Sequence, residues 1–135
     1  MDSNQMPNEN FDRFGTLLGM HCQDEDRGKA NCKLTVREDH LNRNGVVHGG
    51  VVYALADTAM GWAVLSALPE EMVCATIEIK ITYFKPIAQG ELACKATVIY
   101  QGRKVASIDA EIWNEERLVA KANGTFYIFK RENLG

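Results

Sequence analysis

The triplet His48-Gly49-Gly50 opens an almost wholly apolar run, residues 44–68, in which Asp57 is the one acid. A carboxylate set among aliphatic side chains can serve as a general base or as a nucleophile. A glycine amide in the first turn of a helix offers the complementary capacity. Its N–H has no intrahelical partner and stands at the positive end of the helix dipole, so it favours developing negative charge. Together these are the two groups that attack on a carbonyl requires: one activates or replaces water, and the other holds the oxyanion. The plain reading of Asp57 is an acid that merely accepts hydrogen bonds in a core.

Spacing adds a constraint. Gly49 and Asp57 are eight residues apart, so on one helix they are separated by about 12 Å of rise, too far to act on a single carbonyl. Two such helices running antiparallel about a two-fold axis would bring the start of one to the middle of the other, making two sites per dimer. His48, at the helix entrance, reads as a residue that positions the Gly49 turn rather than as a titrating base. Asn42 and Asn44, just before this turn, are ordinary turn formers.

These groups need a framework. The run 44–68 predicts a helix starting near Gly49, stopping before Pro69, and buried nearly all round by its own apolar character. A membrane span is the alternative, but Asp57 would then sit near the bilayer centre at a cost of roughly 3 kcal/mol. Tyr53, Met60, Trp62 and Leu65 on this helix read as core in preference to the lining of a ligand pocket.

The surface that buries such a helix comes from alternating segments. Thr76, Glu78, Lys80 and Thr82 alternate with Ile77, Ile79, Ile81 and Tyr83 until Pro86. The same period recurs over residues 92–100, 106–112 and 118–128, joined by the turns Gln101-Gly102-Arg103-Lys104 and Asn114-Glu115-Glu116-Arg117. Hairpin spacing of this kind predicts an antiparallel meander. An earlier strand over residues 30–36 pairs through Asp26-Arg27-Gly28 with residues 19–25. A short amphipathic helix over residues 11–18 precedes them. The expectation is an α+β fold of six antiparallel strands and one long helix, in a single domain spanning residues 1–135, with residues 1–10 a flexible polar terminus.

Composition excludes several function classes. With 135 residues, 46% hydrophobic and 24% charged, the chain reads as one ordinary globular domain. A net charge of -3 offers no general attraction to nucleic acid or to an acidic membrane. His21, His40 and His48 lack the spacing of a zinc site, so no metal is expected. Cys22, Cys32, Cys74 and Cys94 form no CxxC pair, and no signal-type segment opens the chain. They are read as four reduced thiols in a cytoplasmic protein.

Asn42, Gly45, His48-Gly49-Gly50, Asp57, the strand ending "ITYFKP", the turn "QGRK" and the late "NGTF" together resemble the hot-dog fold thioesterases, in their PaaI-like branch. The resemblance covers residues 15–129. It implies an antiparallel sheet curled around the central helix, homodimers joined through residues 73–85, and homotetramers built from such dimers. It also implies hydrolysis of an acyl- or aryl-CoA thioester to free acid and CoA, with no separate cofactor.

On that resemblance Asp57 is the base or nucleophile and the Gly49 amide is the oxyanion donor. His48 and Asn42 position the loop or the carbonyl, and Thr76 stands where a hydroxyl, more commonly serine, orients water. The phosphates of CoA point to Gly102, Arg103 and Lys104, the obvious local basic cluster, which could equally be a solvated turn. The turn Asn114-Glu115-Glu116-Arg117 departs from the family, where a glycine is usual. A non-catalytic acyl-CoA binding module of the same fold is the competing reading. A hydratase sibling would need a histidine paired with an acid in a different motif, which the chain lacks.

Overall fold

His48 starts the long helix. Its imidazole Nδ1 accepts a hydrogen bond from the Gly50 N–H at 2.8 Å, and helix α2 then runs over Gly49–Ser66. The computed structural model describes residues 12–134, so the polar first ten residues lie outside the described part. Before α2 come helix α1 (Arg13–Leu18) and strands β1 (His21–Asp24) and β2 (Lys29–Thr35). After it come β3 (Met72–Tyr83), β4 (Glu91–Gln101), β5 (Val105–Asn114) and β6 (Arg117–Lys130). Asp12 caps α1 through its carboxylate, and Gly19 ends it in the left-handed region at φ 83.

The six strands form one antiparallel sheet in the order β1-β2-β4-β5-β6-β3. Its inner face is lined by Cys32 and Leu34, Leu92 and Cys94, Ala106, Ile108 and Ile112, and Phe126 and Ile128, all buried. Val52, Leu55, Ala56, Ala59, Met60, Ala63 and Val64 of α2 meet that face. Each Leu or Met so enclosed stabilises the fold by about 1.5–3 kcal/mol. On β6, Gly124 leaves room for the Met60 side chain, since a Cβ there would stand 2.6 Å from Met60 Sδ.

The expected helix, six strands and meander are therefore present, and three details differ from the sequence reading. Strict alternation would put Thr76 on one face with Glu78, Lys80 and Thr82. Instead the register of β3 against β6 jumps from Thr76↔Phe126 to Glu78↔Thr125, so Ile77 is an extra, bulged residue and is 57% exposed. The bulge reverses the parity of the strand. Thr76 faces α2 on one side of it, and Ile79, Ile81 and Tyr83 do so on the other.

The second correction concerns the cysteines. Cys22 and Cys32 are joined by a disulfide, because the β1–β2 register places them directly opposite each other with Cα atoms 4.0 Å apart. Their ten-residue separation disguises a cross-strand pair, which only the hairpin register reveals. Cys74 and Cys94 remain free thiols.

The helix is also less enclosed than its composition predicts. The sheet leaves one side of it uncovered, where Tyr53 is 37% and Leu65 43% exposed and Asp57 is half-buried. Among the described residues no helix is long and apolar enough to cross a membrane.

Candidate active site

Asp57 lies in the middle of α2, on that open side. Thr76 Oγ1 donates to its Oδ1 at 2.7 Å. The carboxylate forms no ion pair among the described residues, and its second oxygen accepts no other hydrogen bond there. Cys74, two residues before Thr76, lies alongside with its Sγ 3.9 Å from the Gly61 carbonyl oxygen. Burial first, and the Asp57 charge second, push the Cys74 thiol up to about 11.

Gly49 occupies the first position of the same helix, and its N–H has no partner among the described residues. The neighbouring groups are all engaged. Val51 N–H donates to the His48 carbonyl at 2.9 Å, Gly50 N–H donates to His48 Nδ1, and Tyr83 OH donates to the Gly49 carbonyl at 2.7 Å. With Nδ1 accepting, the ring's other nitrogen, Nε2, is left as its N–H donor. The histidine therefore caps and orients the turn.

Beside Gly49 opens a cavity of about 350 Å³, lined by Val47, Val52, Tyr83, Phe84, Lys85 and Ile87 among others. Its size suits a small ligand or part of a larger one.

Asn42 shapes the loop that leads into this turn. Its side-chain oxygen accepts from the Asn44 and Val46 backbone N–H groups at 2.8 and 3.4 Å, and its backbone N–H donates to the Val46 carbonyl at 2.7 Å. The loop closes through a bridge between Leu41 and Val47, and His48 N–H donates to the His40 carbonyl at 2.8 Å. His40 itself is buried, its Nδ1 accepting from Arg37 N–H and its Nε2 donating to the Leu18 carbonyl, so it anchors the loop to α1.

Gly102, Arg103 and Lys104 form the β4–β5 turn, with Gly102 N–H donating to the Val105 carbonyl at 2.8 Å. Arg103 and Lys104 are exposed. The turn shares no hydrogen bond with Gly49, Asp57 or Thr76. Ala106, where the hairpin's pairing ends, pairs with Phe126, which pairs with Thr76, so that end lies about two strand spacings, some 10 Å, from Thr76, and the turn itself lies farther out.

Asp57 and Thr76 are thus in direct contact, as are His48, Gly49 and Tyr83. Within one chain the two groups remain apart, at opposite ends of a separation of about 12 Å along α2. Among the described residues no set of three or more His, Cys, Asp or Glu side chains converges as metal ligands.

This arrangement can be set beside known proteins. The family model described as the thioesterase superfamily matches residues 44–121. The chain belongs to that superfamily. As a thioesterase-superfamily protein with six antiparallel strands around one long helix, it has the hot-dog fold and is a thioester hydrolase.

Its likeness to the PaaI branch is direct. The PaaI protein from the phenylacetic acid degradation operon of E. coli is 30% identical, with a TM-score of 0.82 over 90% of this chain and 86% of that one. A conserved protein of Pseudomonas aeruginosa is 34% identical, with a TM-score of 0.85 over 88% and 95% of the two chains. Human acyl-coenzyme A thioesterase 13 is 29% identical over 104 residues, 75% of this chain and 74% of its own length.

The sequence reading missed Tyr83 as a site residue. "ITYFKP" was read as a strand ending in an aromatic of the apolar face, and only the pairing of β3 alongside α2 brings its hydroxyl to Gly49. An available signal was the phenol itself, since a tyrosine in an apolar row commonly has a partner for its hydroxyl.

Proposed function

We propose that the protein hydrolyses acyl-CoA thioesters to a free acid and CoA, at two sites formed across a homodimer. The Gly49 N–H of one subunit binds the thioester oxygen. The Asp57 carboxylate of the other activates water, or attacks the carbonyl carbon itself, and Thr76 holds that carboxylate in place. His48 and Asn42 shape the turn that presents Gly49. Arg103 and Lys104 meet the phosphates of CoA. Paired dimers give a homotetramer.

The observation that carries this reading is the hydrogen bond from Thr76 to Asp57 on the uncovered side of α2. A carboxylate with a hydroxyl partner, no ion pair among the described residues and one side open is poised for chemistry rather than for structure. The open side of α2 and the unpaired edge of β3, where Ile77 is exposed, are where a second copy would add. The names of the relatives point to the same substrate class.

The test is thiol release from a panel of aryl-, medium- and long-chain acyl-CoAs, with sedimentation to establish the mass. Cleavage by a dimer or tetramer, lost by about 100-fold or more in Asp57→Asn, supports the reading. Tight binding of acyl-CoA without release would instead favour the non-catalytic module.

A further inference from the structure

Two adjacent glycines are the least restrained backbone a chain can have, yet Gly49 is the residue whose amide orientation matters most to the proposed chemistry. The peptide between Gly49 and Gly50 is held at both ends: its oxygen accepts from Tyr83 OH at 2.7 Å, and its N–H donates to His48 Nδ1 at 2.8 Å. We propose that Tyr83 is a positioning residue that, together with His48, clamps the Gly49–Gly50 peptide and so holds the free Gly49 N–H in one orientation toward the substrate oxygen. This rests on the reading of Gly49 as the oxyanion donor.

The fit of the two side chains explains why both residues are glycine. A Cβ at Gly49 would stand 3.3 Å from the Tyr83 hydroxyl oxygen, and one at Gly50 would stand 3.0 Å from His48 Nδ1. Each is tighter than an ordinary contact, so a side chain at either position would push its clamp away. With the Gly49–Gly50 peptide fixed and the His48 carbonyl held by Val51 N–H, the planes on both sides of the Gly49 Cα are restrained. An oriented donor of this kind needs no reorganisation when charge develops. Burial, and then the nearby Tyr53, raise the Tyr83 phenol above its ordinary value, so it stays protonated and able to donate.

The test is Tyr83→Phe, which keeps the ring and deletes only the hydroxyl, with His48→Ala and the double variant beside it. The expected result is a kcat about five- to tenfold lower, with KM within about twofold and melting temperature and oligomeric mass retained. Hydrogen exchange at the Gly50 amide becomes faster. The double variant loses little more than His48→Ala alone, because both changes free one peptide. Unchanged kcat overturns the proposal, and so does a fall in kcat matched by a fall in thermal stability. If the wild type cleaves no acyl-CoA, the active-site reading has failed, and unchanged Gly50 exchange in Tyr83→Phe would separately show that no clamp exists.

Discussion

Thr76 donates its hydroxyl proton to Asp57 Oδ1 across 2.7 Å, and it can do so because a single bulged residue, Ile77, turns it toward the helix. Charge-assisted bonds of this length are worth about 1.5–3 kcal/mol. Thr76→Val, nearly isosteric but without the donor, should therefore lower kcat roughly tenfold while the fold persists, and Thr76→Ser should retain most activity. Steady-state kinetics on the best acyl-CoA of the panel, with circular dichroism as control, checks both.

Gly124 of β6 lies against the Met60 side chain of α2. A Cβ there meets Met60 Sδ at 2.6 Å, Phe126 at 3.1 Å and Ile79 at 3.3 Å, all in packed surroundings. Gly124→Ala should destabilise the protein by about 1–3 kcal/mol, read as a lower urea midpoint. A concurrent Met60→Ala should relieve the clash but open a cavity, so the pair will not add.

The free thiols carry a pH signature. Burial holds Cys74 at about 11 and Cys94 at about 12, against an ordinary value of 9.0. Folded Cys74 thus keeps its proton up to about pH 11 and Cys94 up to about pH 12, while the unfolded thiols lose theirs from about pH 9. The folded state binds more protons there, and stability must fall as pH rises through that window. Alkylation of Cys74 at pH 8 should be slow. Asp57→Asn should speed it modestly, because the carboxylate is the second cause of the shift and burial the first. Mass spectrometry after timed iodoacetamide exposure measures this.

The Cys22–Cys32 bond ties the four-residue edge strand β1 to the sheet. Closing a loop of this size stabilises by about 2–3 kcal/mol in the chain-entropy model. Dithiothreitol should lower the melting temperature by several degrees, and Cys22→Ser should show the lower value with no further response to reductant.

Glu115 sits at φ 55, in the left-handed region that favours glycine, and its Oε1 accepts from the Glu91 N–H at 2.9 Å. The side-chain bond offsets a backbone cost of about 1–2 kcal/mol. Glu115→Ala, which keeps the strain and loses the bond, should destabilise by about 1 kcal/mol. Glu115→Gly should cost less. Chemical denaturation of the two variants distinguishes them.

What the residues declare on their own is whatever depends on local pattern. The boundaries of α2 follow from His48 and Pro69, the strands from two-residue alternation, and the candidate site from the His48-Gly49-Gly50 and Asp57 spacing. Local pattern also placed Asn42 correctly as a turn former, and its side chain does bond the loop amides. What required the tertiary structure is register and crossing. Alternation cannot announce a bulge, so Thr76 seemed to share a face with Glu78 and Lys80. Ten residues of separation say nothing about pairing until a hairpin register sets Cys22 opposite Cys32. Tyr83 and Gly49 are thirty-four residues apart and meet only because β3 lies antiparallel along α2. Side-chain periodicity is a property of a few consecutive residues, whereas register and helix–sheet contact arise when distant segments pack, and that packing decided which groups touch Asp57 and which hold Gly49.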